Sequence, residues 1–160
     1  MNRARSLAGA LFFGLLVATP GAHLDAQFAA PAAASTIPQD RLIEPDALSR
    51  ELQAHPHTAL ILQVGSRVLF DQAHIPGAEY AGPGSRSEGL SALHNRVASL
   101  PRSQSIVLYC GCCPWDRCPN IGPAWQLLHQ MGFTNVKVLH IANNFGADWV
   151  SRGYHADSSQ

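Results

Sequence analysis

Lysine is nearly absent from this 160-residue chain. Lys137 is the single example, the arginines are scattered, and the formal net charge is zero. With no Lys/Arg cluster and no basic stripe, the chain lacks the electrostatic footprint of a nucleic-acid binder. Charged residues make up only 14% and hydrophobic ones 46%, a balance that excludes a disordered tail and favours a packed core. There is no internal repeat, and the length leaves room for one ordinary domain. Long apolar runs are missing too. The longest, Leu7–Ala18 (LAGALFFGLLVA), is about 12 residues, short of the roughly 20 that span a bilayer.

What that run does resemble is the apolar centre of a secretory signal. Arg3 and Arg5 precede it and Thr19-Pro20-Gly21 breaks it, the order expected of a cleaved leader. Residues 1–26 are therefore expected to be a signal peptide cleaved after Ala26, with an uncleaved membrane anchor as the alternative. No cysteine stands near the cleavage region, so no lipid attachment of the bacterial lipoprotein kind is available. Removal of Arg3, Arg5 and Asp25 leaves nine basic residues against ten acidic ones, a net charge of −1. The expected location is periplasmic or secreted, with no stable membrane insertion after cleavage. Outside the cytoplasm, pairs of thiols tend to oxidise.

Residues 27–40 (QFAAPAAASTIPQD) are rich in Ala, Pro and small polar residues and read as a flexible lead-in. Ordered structure is expected from about Leu42, in one domain over 41–157. Glu44-Pro45 opens a helix with proline at its first position, Leu48 and Leu52 share a face, and His55-Pro56 closes it. Thr58–Val64 (TALILQV) is a short apolar run of strand formers, as in a strand buried on both faces. Asp71–Gly84 reads as loop, Glu88–Leu100 as helix, and Ser105–Tyr109 (SIVLY) as a second strand. A loop to Asn120, a helix through Ala124, Leu127, Leu128 and Met131 ending at Gly132, and a strand Thr134–Leu139 follow. The alternation predicts an α/β fold, a parallel sheet with helices on both faces. Reactive groups in such sheets gather at the carboxyl ends of strands, which is where Cys110 falls.

Four cysteines sit in nine residues: Cys110-Gly111-Cys112-Cys113-Pro114-Trp115-Asp116-Arg117-Cys118. Three chemistries fit. Loop amides, the following helix and Arg117 are each able to favour a thiolate, so Cys110 is a candidate nucleophile. The same concave donors, with Gly111, Cys112, Cys113 and Cys118 forming the loop, suit an anionic substrate. Clustered thiolates of Cys112, Cys113 and Cys118 also suit a soft metal, Cu(I) or Zn(II), although the adjacent pair Cys112-Cys113 is expected to strain about a single ion. A disulfide, Cys113–Cys118 or Cys112–Cys118, closes a small loop. Thiol–disulfide exchange lacks the C-x-x-C at a helix start that usually poises it. The eight histidines are expected to be surface or structural residues, and any one of the cysteines alone is more ordinarily a small buried hydrophobe.

Several separated segments resemble the rhodanese family. Asp71-Gln72-Ala73-His74-Ile75-Pro76-Gly77-Ala78 is similar to its G-H-I-P-G-A stretch, and Ile106-Val107-Leu108-Tyr109-Cys110 to the strand that delivers its cysteine. Leu127-Leu128, Gly132-Phe133 and Asn135-Val136 resemble the helix and strand that follow, and Trp149 with Gly153-Tyr154 the closing pattern. The resemblance runs from about Leu42 to His155. It implies a thiosulfate-type sulfurtransferase with Cys110 as persulfide carrier, loop amides holding the donor's oxyanion, and no metal or organic cofactor. Its partners would be a small sulfur donor and a thiol acceptor. The chain departs from the family in three places. Gln63-Val64-Gly65 stands where Asp-Val-Arg is usual, with Arg67 two residues later. Ala142-Asn143-Asn144 replaces two glycines, and the cysteine loop is about five residues longer. The alternative function is a non-catalytic rhodanese scaffold whose loop binds a soft metal.

Overall fold

The structure, a computed structural model, describes residues 37–159; the signal segment and most of the lead-in lie outside the described residues. Five strands run parallel in one sheet: β1 (Leu42–Ile43), β2 (Leu60–Gln63), β3 (Glu79–Tyr80), β4 (Ile106–Tyr109) and β5 (Val136–Leu139), in the order β1-β5-β4-β2-β3. β4 is central, and all four of its residues are buried. The helices are α1 (Pro45–Ala54), α2 (Arg67–Gln72), α3 (Ser87–Val97), α4 (Ile121–Gln130) and α5 (Phe145–Asp148).

Successive strand residues point to opposite faces, and the core divides accordingly. Ile106 and Leu108 join Leu62, Val136 and Val138 beneath α3 and α4, against Leu93, Val97, Ile121, Ala124 and Leu128. Val107 and Tyr109 join Ile61 and Leu139 on the other face, against Leu48 of α1 and Phe145 and Trp149. This two-sided burial is why the strands read as continuous apolar runs rather than alternating ones. The next residue in the alternation, Cys110, belongs to the α3–α4 face and packs in that core. Among the described residues no helix is long and apolar enough to cross a membrane.

The expected α/β sheet is present, with differences at its margins. Three strands were legible and five are present among the described residues, because β1 and β3 are two-residue edge strands too short to carry a period. The stretch read as loop from Asp71 begins inside α2, whose six residues carry an Arg67–Asp71 ion pair one turn apart, and includes β3. The expected strands shrink to β2, β4 and β5, the expected helix 88–100 starts at Ser87 and stops at Val97, and α5 was not expected. Order also begins before Leu42. Ile37 is buried in the α3–α4 core and Gln39–Arg41 form a 3-10 turn, so the last residues of the lead-in are held by one apolar anchor that composition alone does not reveal. The helix stop at Gly132 is as read: its φ is +85°, and Phe133 N–H reaches back to Leu128 O at 3.1 Å.

The H-I-P-G-A stretch serves as a clamp. His74 exchanges two backbone hydrogen bonds with Asp157, its ring stacks on Phe70, and Nδ1 lies 2.7 Å from Phe70 O. Ile75 is fully buried, and its N–H donates to Tyr109 Oη. The motif thereby ties α2 and the chain end to the strand that carries Cys110.

Candidate functional site

β4 delivers Cys110 to the carboxyl edge of the sheet. The chain then turns through Gly111 at φ +73°, where a Cβ would stand 2.7 Å from Phe145 Cβ. Gly111 O accepts from Phe145 N–H at 3.0 Å, so the loop is laid directly on the start of α5. Trp115 N–H donates to Ala142 O at 3.2 Å, and Trp115–Arg117 form a 3-10 turn that sends the chain back towards the sheet. Cys118 and Asn120, both buried, complete the return just ahead of α4.

This fold-back gathers the sulfurs. All four Sγ atoms lie within 4.8 Å of one another. Cys110 Sγ is 3.0 Å from Cys112 Sγ, which is 3.2 Å from Cys113 Sγ. The adjacent Cys112 and Cys113, expected to strain about a single ion, both bring their sulfurs to this cluster. Neither expected disulfide is present, and all four cysteines are free thiols or thiolates.

Two amides frame the cluster, and sequence reasoning assigned a role to neither. Asn120 Nδ2 donates to Cys110 Sγ at 3.3 Å and to Cys112 Sγ at 3.5 Å, while its Oδ1 accepts from Ser85 N–H at 3.0 Å. Gln63, in the position of the family's usual aspartate, donates from Nε2 to Cys110 O and accepts from Gly65 N–H. Gly65 must lack a side chain, since a Cβ there would lie 2.9 Å from both the carbonyl oxygen and Sγ of Cys110. The only sequence signal for Asn120 was its place before a helix. For Gln63 it was the departure from the family pattern.

Arg117 does not join them. It lies exposed, 3.9 Å from the equally exposed Asp116, because the 3-10 turn that returns Cys118 to the core points the neighbouring side chains to solvent. The positive charge expected to favour a thiolate is therefore replaced by hydrogen bonds. Cys112 receives them from Cys110 first and then Cys118, and its pKa is driven far below the usual thiol range. Cys110, donating to Cys112 and held by Cys118 in a buried site, is pushed up and stays protonated. Burial, reinforced by the hydrogen bond with Cys112, pushes Cys113 up to about 12. Hydrogen bonding thus favours the thiolate on Cys112 over that on Cys110 or Cys113. Among the described residues the amides of Gly111, Cys112 and Cys113 donate to no backbone carbonyl, which leaves a short run of N–H groups beside a left-handed glycine, a concavity suited to an anion.

A cleft of about 360 Å³ reaches this point, lined by Leu69, Ala73, Gly111, Cys112, Phe145 and Val150 among others. It opens on Cys112 rather than on Cys110. A larger cleft, about 520 Å³, is lined by Arg41, Trp125, His129 and Phe133 near the opposite ends of the strands and holds no cysteine. Among the described residues no histidine enters the sulfur cluster. His140 instead bonds Glu44 and meets the Trp115 ring edge-on.

The family profile of the rhodanese-like domain matches residues 44–141. The chain belongs to the rhodanese-like domain family. Among solved structures, it is similar to the Alr3790 protein from Anabaena sp., with 22% identity over 72% of this chain and 82% of that one and a TM-score of 0.56. The BH2092 protein from Bacillus halodurans is similar at 20% identity, over 73% of this chain and 76% of that one, with a TM-score of 0.56. A rhodanese-related protein from Thermoplasma volcanium gives 17% identity, 73% and 97% coverage and a TM-score of 0.51. At these identities the likeness is one of fold. No curated protein matches this rhodanese-like chain.

Proposed function

We propose that this rhodanese-like domain is an exported sulfurtransferase that carries sulfane sulfur as a persulfide on Cys110. The observation that supports it most is the pairing of Cys110, at the carboxyl end of the central strand, with a Cys112 thiolate 3.0 Å away. Sulfur transfer needs a thiolate nucleophile. Cys110 and Cys112 share a proton across that contact, and with the charge on Cys110 its thiolate attacks the outer sulfur of thiosulfate. A sulfur–sulfur bond forms to Cys110, the donor's own sulfur–sulfur bond breaks, and sulfite leaves with the electron pair. An acceptor thiolate then attacks the outer sulfur of the persulfide and restores Cys110. The amides of Gly111 and Cys113, which donate to no backbone carbonyl, are suited to the donor's oxyanion. Arg117, exposed as it is, has no part in this route.

Intact-mass spectrometry of the reduced, metal-free protein before and after thiosulfate, with peptide mapping, tests the proposal. The expected result is a gain of one sulfur atom on Cys110 that is lost in Cys110→Ser. No adduct on folded, reduced protein overturns sulfur transfer, and an adduct mapped to Cys112 or Cys113 overturns the assignment to Cys110.

A further inference from the structure

The geometry points to a second use of the same loop: Cys110, Cys112, Cys113 and Cys118 form a closed tetrathiolate site for a thiophilic metal ion of the Zn(II) type. A zinc–sulfur bond of about 2.3 Å requires tetrahedral sulfur–sulfur edges of about 3.8 Å. The four sulfurs already lie within 4.8 Å of one another. The two shortest contacts, 3.0 and 3.2 Å, need to open by less than about 1 Å to reach that edge.

Three further features fit an ion better than four free thiols. The donor set is all sulfur, with no histidine or carboxylate among the described residues in the group, and such sets select soft ions over Mg(II) or Ca(II). Two ligands, Cys110 and Cys118, are buried at the end of a strand and the approach to a helix, while Cys112 and Cys113 are half-buried. That division gives two fixed anchors and a side from which an ion enters, through the cleft at Cys112. Asn120 Nδ2 stands 3.3 and 3.5 Å from two of the sulfurs with its other end tied to Ser85 N–H, the outer hydrogen bond that orients metal-bound thiolates. Zn(II) binding releases the thiol protons of its ligands and neutralises two of the four thiolate charges.

The site needs only the thiols and stands whether or not Cys110 carries sulfur. If both hold, they exclude one another, since a fully ligated ion leaves no free thiolate on Cys110. Metal occupancy then switches sulfur loading off.

The test is titration of the reduced, metal-free full chain with Zn(II), and separately with Co(II) under anaerobic conditions. One equivalent of Co(II) is expected to give the intense visible bands of a tetrahedral thiolate site together with sulfur-to-cobalt charge transfer. One Zn(II) is expected to abolish the reaction of all four thiols with a disulfide reagent. Cys118→Ser and Cys113→Ser, each checked for native circular dichroism, are expected to weaken Zn(II) binding by at least ~100-fold, and Asn120→Ala by ~10- to 100-fold, the range found for outer-shell partners. Four reactive thiols in folded protein at excess Zn(II) overturn the inference, as does binding unchanged in both cysteine variants. Failure here leaves sulfur loading of the metal-free protein untouched. Conversely, Zn(II) binding together with no thiosulfate adduct on the metal-free protein overturns the sulfurtransferase proposal alone.

Discussion

The thiolate of Cys112 is favoured by hydrogen bonds rather than by a neighbouring cation. Hydrogen bonds from Cys110, then Cys118, hold its thiolate, with Asn120 adding a further donor. Hydrogen bonds to a charged form favour that form as surely as a nearby cation does. The consequence is measurable. In metal-free protein, alkylation of Cys112 by iodoacetamide is expected to hold nearly constant from pH 8 down to pH 5, where an ordinary thiol of pKa about 8.5 slows about tenfold per unit. Peptide-resolved rates check it, and a tenfold decline per unit at Cys112 contradicts the charge assignment. Asn120 was hidden in the sequence because an asparagine ahead of a helix ordinarily caps it. Here it makes no side-chain capping bond and turns to the sulfurs instead.

At the scale of the element, the loop depends on glycines that are not equivalent. Gly111 takes φ +73° with Phe145 Cβ only 2.7 Å from where its own Cβ would lie, whereas Gly132 takes φ +85° with nothing within 4 Å. Gly132→Ala is therefore expected to cost only the left-handed backbone penalty, about 1–2 kcal/mol. Gly111→Ala adds an overpacking cost of about 1–3 kcal/mol to that and displaces the cysteine loop from α5. Urea denaturation of the two variants separates them. Equal losses would mean that the contact with Phe145 does not constrain the loop. The position of Cys110 was legible because β4 is an apolar run buried on both faces, and the residue after it falls at the sheet edge. α2, β3 and α5 were not legible. Their two to six residues are fixed by tertiary partners, as in the pairing of Leu62 and Gln63 of β2 with Glu79 and Tyr80, rather than by a period of their own.

Among the described residues the groups that burial and the thiol contacts push up lie together at the end of β4, and pH acts on them with a definite sign. Cys110 and Tyr109 are pushed up, the first chiefly by its bond to Cys112 and the second by burial, and Cys113 is pushed up to about 12. Below the ordinary thiol value of 9.0 these groups are protonated in both folded and unfolded chains, so their contribution is fully present. Above it the unfolded chain releases protons that the native protein retains, and stability falls as pH rises. Cys112, shifted the opposite way, adds stability as pH rises towards 9 and nothing beyond. The reduced, metal-free protein is expected to be most stable near pH 8–9. Its melting temperature is expected to drop by roughly 5 °C or more by pH 11, mainly through Tyr109 and Cys110, because Cys113 is partly solvated. Calorimetry checks it; a midpoint level or rising from pH 9 to 11 contradicts the buried, protonated thiols. The sequence by itself determined the parallel α/β sheet, the placement of Cys110 at the end of its central strand and the crowding of four cysteines into nine residues, since apolar runs and spacing are local properties. Only the tertiary structure decided that Asn120 and Gln63 rather than Arg117 meet the cysteine loop, that adjacent Cys112 and Cys113 face the same point, and that hydrogen bonding favours the thiolate on Cys112. Those outcomes depend on hydrogen bonds of about 3 Å, which form only once the loop has folded back between β4 and α4.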